Sequence, residues 1–284
     1  MDPPHQSYGA IQEGRATTGH VHADDEENAR LLPTSNSQSS HMRFRDHMKE
    51  EIDTDGGEFI LILGYIITGL IDGSAVFIWG AFASMQTGNT IYLGLGLAEP
   101  SSANRWIKSL LSISCFCLGA TVFAWFHRFF GAKKRWVMFS SYLFQTLLIV
   151  AAAIIVSLDR TTTEDKEKVR WPVMVPLAFM AVGSSGQCVS SRALDKNSLT
   201  SVVLTSIYCD LFSDPRLLSF SGSSNPSRNQ RLAAPICVLL GALVGGFWAR
   251  SEIGLQGALW TAAGLKFCVV LAWAEWKIAP EVED

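Results

Sequence analysis

Long apolar stretches separated by short polar ones make up most of the chain after about residue 57. A helix needs about 20 mostly apolar residues to cross a bilayer. Six stretches approach or exceed that length: residues 59–82, 109–126, 137–158, 172–189, 233–249 and 254–276. The pattern predicts an all-α membrane protein, with a multi-pass membrane domain at residues 58–278.

Two further segments, residues 86–98 and 199–212, are too short or too polar to count easily as spans. If both crossed, the basic loop between the second and third apolar stretches, with Arg128, Lys133 and Lys134, would lie outside. That placement goes against the tendency of Lys and Arg to stay in the cytosol. If both dip in and return, that loop lies inside, with Arg216, Arg228 and Arg231. We therefore predict six transmembrane helices plus two short re-entrant segments, with seven or eight crossings as the alternative.

This arrangement repeats the order span, short segment, span, span, in two halves of opposite orientation. The short segments are weakly similar, with TGNTIYL at residues 87–93 and TSIYCDL at residues 205–211. Inverted repeats with interrupted helices at matching positions are a transporter architecture, whose site lies near the midplane between the repeats. The alternative is a coincidence of small polar residues.

Charge is scarce and unevenly placed, at 17% of residues against 48% apolar ones. Residues 1–57 are polar and predict a disordered tail, and the cations just before residue 59 place that tail in the cytosol. Residues 279–284 form a second cytosolic tail. The net charge of −3 gives no indication of a nucleic-acid partner.

The N-terminal tail contains a candidate sorting signal. Glu27 lies four residues before the pair Leu31 and Leu32, and this spacing resembles the acidic dileucine signals that cytosolic adaptors recognise. The prediction is a sorting adaptor as partner and residence in the plasma membrane or in a vacuole or endosome. The alternative is a charged tail with two unrelated leucines.

Asp72 and Lys266 each lie near the middle of a predicted span. A charge at that depth costs about 2.5–3.5 kcal/mol on insertion scales. An ionisable residue there is therefore a candidate functional residue. Their opposite signs and matching depth predict a pair. The pair is either a structural salt bridge or two groups that titrate together.

Neutral polar residues complete the candidate solute or ion pathway. Thr87 and Asn89 offer donors and acceptors in the first short segment, Thr205 and Asp210 do so in the second, and Gln187 gives the fourth apolar stretch a polar face. Small residues in spans also serve helix contacts. We found no catalytic or metal-binding motif, so we expect no enzyme activity, metal or cofactor, and we expect His127 on a surface loop.

Several of these motifs together resemble a known family. They are residues 64–98 with MQTGNT at 85–90, residues 183–187, residues 191–193 and residues 202–214. They are similar to the YoaK-like family, the domain of unknown function 1275, and the long polar tail fits its fungal branch. The resemblance covers about residues 59–277 and implies a multi-pass membrane protein without assigning a substrate. Ser206 stands where the bacterial pattern has glycine.

Two functions follow from the sequence. The first is a secondary transporter or permease for an unidentified small solute, coupled to protons through Asp72, Lys266 and Asp210. The second is a non-transporting membrane scaffold or adaptor whose cytosolic parts bind partners. A polar cavity at the midplane would favour the transporter, and a closed bundle would favour the scaffold.

Overall fold

The computed structural model describes residues 45–100, 104–159, 168–215, 217 and 225–277. Six helices in this part are long and apolar enough to cross a membrane. In chain order with two shorter helices, they are α1 (Glu58–Trp79), α2 (Gln86–Ala98), α3 (Arg105–Phe130), α4 (Arg135–Leu158), α5 (Trp171–Ala193), α6 (Thr205–Phe212), α7 (Pro226–Arg250) and α8 (Leu255–Ala274). The predicted all-α membrane fold is confirmed.

The largest difference from the predicted bounds is the start of α7, at Pro226 instead of residue 233. Asn225 caps the helix by accepting the backbone N–H of Arg228 at 3.1 Å, and proline suits the first helical position because it lacks an N–H. Hydropathy misses these first turns because they are polar. The second short segment is also divided: a 3-10 turn covers Asn197–Leu199 and α6 begins only at Thr205.

Helices α1 and α7 run parallel and touch through glycines. A side-chain carbon added to Gly69 of α1 would collide with the backbone of α7, and one added to Gly73 would lie only 3.0 Å from it. A carbon added to Gly241 or Gly245 of α7 would collide with the backbone of α1. Each pair has the spacing of four residues that lets membrane helices approach closely. This contact joins the first half of the chain to the second.

Helices α3 and α5 form a matching parallel pair. Gly119 of α3 lies against Val182 and Ser185 of α5, and His127, two turns later, lies near Ser190. The four helices of the first half, α1 to α4, correspond in order to α5 to α8 of the second. If the halves are exchanged, the α1–α7 contact becomes the α5–α3 contact. The same exchange relates the α4–α5 contact to α8–α1 and the α2–α3 contact to α6–α7, and the α4–α8 contact maps onto itself.

Burial follows the same relation. Within the most apolar 18-residue window of each helix, 67% of the residues of α1 and 61% of those of α5 are buried, compared with 22% in α3 and in α7. Helices α1 and α5 therefore lie inside the bundle, with α4 and α8 beside them, whereas α3 and α7 lie on its periphery. Equivalent helices in the two halves thus occupy equivalent positions.

One end of the bundle, here called the tail end, gathers the start of α1 and the ends of α3, α5 and α8. Lys196, after α5, pairs with Glu58 at the start of α1, and Lys133, after α3, pairs with Asp195 at 3.2 Å. Helix α7 starts at this end because it runs parallel to α1. The segment between α5 and α7, including α6, therefore leaves and returns at the same end.

The opposite end gathers the end of α1 and the start of α3. Lys108, in the first turn of α3, donates to the carbonyl of Trp79 at 2.9 Å. The segment between them, including α2, therefore also returns to the end that it left. The six long helices alternate in direction, and α1 and α5, the first helices of the two halves, run oppositely. The repeat is thus inverted, while the cytosolic placement of the tail end stays a prediction.

The packed part of the chain starts before the predicted boundary at residue 57. Ile52 is buried, and its N–H bonds to the carbonyl of Lys133 at 2.8 Å. Arg135 is fully buried and donates to the carbonyls of His47, Ala274 and Trp276. This contact ties the N-terminal approach to α4 and to the end of α8. Residues 1–44, with the candidate sorting signal, and residues 279–284 lie outside the described part.

The glycine contact predicts opposite effects of one methyl group at two positions. Gly241→Ala should lower the unfolding temperature in detergent, because the added carbon would overlap the carbonyl of Ile66. Gly264→Ala should leave it unchanged or raise it, because nothing lies within 4 Å of that position and alanine is worth about 0.5–1 kcal/mol over glycine inside a helix. Equal shifts for both variants would contradict the α1–α7 contact.

The six-crossing order predicts which loops share a side of the membrane. In a variant without its six native cysteines, single cysteines replace Pro100, Glu252 or Lys277. An impermeant thiol reagent added to intact cells should label positions 100 and 252 and spare 277. Eight crossings would place position 100 on the side of 277, so labelling at 252 alone would contradict the short-segment assignment. Permeabilised cells provide the control for accessibility at all three sites.

Candidate functional site

The break between α1 and α2, residues 80–85, is held by the carboxylate of Asp72. Oδ1 accepts the backbone N–H groups of Ala83 at 2.8 Å and Ser84 at 2.9 Å, and Oδ2 accepts the Ser84 hydroxyl at 2.5 Å. Asp72, Ala83 and Ser84 are all buried. A single side chain thus satisfies donors that leave the helical pattern where no water is expected.

Asn89 of α2 completes the hydrogen bonding of this break. Its side-chain oxygen accepts the N–H of Phe82 at 3.0 Å, and its amide donates to the Phe82 carbonyl at 2.8 Å. Ser112 of α3 donates to the same carbonyl at 2.8 Å, and the Asn89 amide also lies 3.1 Å from the Ser112 hydroxyl. Asn89 therefore fixes α2 against both the break and α3.

The break between α5 and α6, residues 194–204, is held by Gln187 in the corresponding way. The Gln187 amide donates to the Ser201 hydroxyl at 2.6 Å. Ser201 has a φ of +59°, a conformation that costs energy for a residue other than glycine and that the surroundings must hold. Asp72 and Ser84 are 12 residues apart, and Gln187 and Ser201 are 14 apart. In each half, a side chain of the helix before the break thus bonds to a serine within it, with different chemistry.

Lys266 of α8 meets this second network. Its ammonium donates to the Gln187 side-chain oxygen at 2.6 Å and lies 5.6 Å from the ring centre of Tyr142. The Gln187 amide also bonds to the Gly64 carbonyl at 3.0 Å and the Thr68 hydroxyl at 3.2 Å. Gln187 therefore connects α8, α1 and the second break.

Asp72 and Lys266 do not form the pair that the sequence predicts. Within the described residues, Asp72 bonds to the first break and Lys266 to Gln187, and no ion pair joins them. The physical reason is that each charge has a neutral hydrogen-bonding partner at its own position. Matching depth along two helices does not specify which neighbours a side chain meets.

Both breaks reach one apolar cluster, formed by Leu61, Tyr65, Leu199, Ile207, Ala234 and Val238. Met85 of the first break and Leu204 of the second pack against it. The two breaks therefore meet at an apolar contact between α1, α6 and α7. A displacement of either break would disturb this cluster.

The structure leaves three predicted site residues out of these networks. Thr87, Thr205 and Asp210 are exposed, because the inward face of α2 carries Asn89 and that of α6 carries Ile207 and Leu211. Asn89 and Ile207 are equivalent in the weak internal match. The similarity therefore holds in position but not in chemistry, and Ile207 fills its site by packing.

The expectation of a surface position for His127 is wrong. His127 is only 2% exposed, because α3 continues to Phe130 and turns this residue toward α4 and α5. Its Nε2 lies 3.2 Å from the Ser141 hydroxyl and 3.5 Å from that of Ser190.

The sequence analysis also missed Ser84, Ser112 and Ser201. The feature that could have revealed them is a small polar residue within each break, or on the helix that faces it.

The separate networks predict different effects of Asp72→Asn and Asp72→Ala. Asparagine keeps an oxygen for the N–H groups of Ala83 and Ser84, whereas alanine leaves buried donors unpaired, at about 1–3 kcal/mol each. Asp72→Ala should therefore lower the unfolding temperature in detergent far more than Asp72→Asn.

Combining Asp72→Ala with Lys266→Met should give the sum of the two losses, because sites without shared partners add. If the double variant loses clearly less stability than that sum, the two charges are coupled.

Comparison with known proteins gave one match. Residues 60–272 match the family described as a protein of unknown function, DUF1275, which is the YoaK-like family. Neither curated proteins nor solved structures gave a significant match. The match covers all six long helices except the first two residues of α1 and the last two of α8, and the fungal branch stays a prediction. The chain therefore belongs to the DUF1275 family of multi-pass integral membrane proteins.

Proposed function

We propose that this protein is a secondary transporter for a small solute. The observation that carries the proposal is the inverted repeat whose two breaks meet at the same apolar cluster. In transporters of this architecture, one repeat moves against the other around a site at their interface. Each break here depends on a few side-chain hydrogen bonds, so it can change conformation without unfolding a long helix.

Asp72 offers a way to couple this change to protons. As a carboxylate it accepts three hydrogen bonds from the first break. A protonated carboxyl group carries a donor of its own and loses acceptor capacity, so protonation would weaken the contact that holds Ala83 and Ser84. The coupling proposal thus rests on Asp72, with Lys266 acting on the second break through Gln187. The exposed Asp210 does not contribute to either contact.

One observation favours a non-transporting membrane scaffold instead. The polar groups of Asp72, Asn89, Gln187 and Lys266 all have partners inside the protein. The two cavities described are lined by none of these four residues. A bundle that stays closed would use the same contacts to stabilise its fold. The two functions differ in whether a solute crosses the membrane.

Metabolite profiling of cells and medium tests the proposal. Cells without the gene are compared with cells that produce the wild type, Asp72→Asn or Glu252→Gln. Asp72→Asn removes the charge but keeps the acceptor for the break, so the protein should fold. Glu252→Gln removes an exposed carboxylate in the loop between α7 and α8 and serves as the matched control.

We expect one or a few related solutes to change by about tenfold between cells with and without the wild type, which corresponds to about 1.4 kcal/mol. Cells with Asp72→Asn should resemble cells without the gene, and cells with Glu252→Gln should resemble the wild type. The solutes found are then tested for uptake into liposomes under a pH gradient. Unchanged profiles despite normal protein levels in the membrane would favour the scaffold.

A further inference from the structure

A groove at the tail end lies between the last turns of α3 and α5. Its volume is about 690 Å³, within the 300–1,000 Å³ typical of ligand sites. Small residues, including Ala120, Ala124 and Ala193, leave the space between the helices. The groove is separate from the breaks and from the apolar cluster between the two halves.

Two arginines line the groove at the level where both helices end. Arg128 lies in the last turn of α3 and Arg192 in the last turn of α5, and both are exposed. Neither guanidinium has a hydrogen-bond or ion-pair partner within the described part of the chain. Lys133, the next cation along, is already paired with Asp195. The groove thus presents two uncompensated positive charges above an apolar floor.

His127, in the wall of the groove, has an unmet hydrogen bond among the described residues. It lines the groove and is only 2% exposed. Its Nε2 is bonded to Ser141, whereas its Nδ1 is buried without a partner among the described residues. A buried polar atom without a partner is costly, so the wall of the groove carries an unmet hydrogen bond, which a headgroup would satisfy only if the ring moves toward it.

We propose that this groove binds an anionic phospholipid. The phosphate would lie between Arg128 and Arg192, which suit phosphate oxygens because guanidinium groups donate in pairs. The acyl chains would follow the alanine-lined faces of α3 and α5 into the membrane. The charge and position favour a lipid, since basic pockets between membrane helices on the cytoplasmic side bind anionic headgroups. The tail end is the predicted cytosolic end.

Native mass spectrometry of the purified protein, titrated with phosphatidylserine or with phosphatidylcholine of the same acyl chains, tests the site. We expect a saturable adduct with phosphatidylserine only. Arg128→Gln and Arg192→Gln should each weaken it about fivefold and together about thirtyfold, since a basic residue near an anionic headgroup contributes about that much. Arg231→Gln, which removes a partly exposed cation of α7 outside the groove, should bind like the wild type.

The arginines could instead serve only the helix ends, where cations offset the negative end of the helix dipole. In that case the double variant would melt at a lower temperature in every lipid, and phosphatidylserine would still stabilise it as it stabilises the wild type. Equal binding of the two lipids by the wild type, or unchanged phosphatidylserine binding by the double variant, would overturn the proposal. Gel filtration of each variant confirms that it is folded before the titration.

Discussion

The hydrogen-bond requirement of backbone groups inside a membrane is the constraint on which this structure depends. Hydrocarbon offers no partner for an N–H or C=O group that leaves a helix, and each one left unpaired costs several kcal/mol. The chain leaves its helices twice within the bundle. At the first break Asp72, Asn89 and Ser112 bond to the freed groups. The buried polar residues of this part of the protein are explained by that need.

The two halves of the inverted repeat hold their breaks with different kinds of side chain. Asp72 holds the first break with a negative charge, whereas Gln187 holds the second with a neutral amide and receives Lys266. Asn89 bonds to the first break, but the equivalent Ile207 fills its place by packing. The halves are therefore alike in the arrangement of their helices and unlike in charge. In the transport function that we propose, such asymmetry would let a proton act on one half without acting equally on the other.

At the tail end, unlike at the centre, several cations pair with carboxylates or donate to main-chain carbonyls. Arg135 donates to three carbonyls from distant parts of the chain, so it works as a structural clamp. Arg128 and Arg192, by contrast, line the groove for which we propose an anionic phospholipid. The number of cations in the sequence does not distinguish these three arginines. Only the structure shows that Arg135 is buried against carbonyl groups and that Arg128 and Arg192 are exposed.

The sequence alone predicted six crossing helices, two short segments and an inverted order, because hydropathy and loop charge depend on composition along the chain. It missed the polar first turns of α7 and the divided second segment. It also marked Asp72, Asn89, Gln187 and Lys266 as unusual for their depth. The tertiary structure decided their partners: Asp72 meets Ser84 and Lys266 meets Gln187. It also turned His127 inward and Thr87 outward. The reason is that partner choice depends on how helices rotate and approach, and contacts such as Gly69 against Val238 set that geometry across distant parts of the chain.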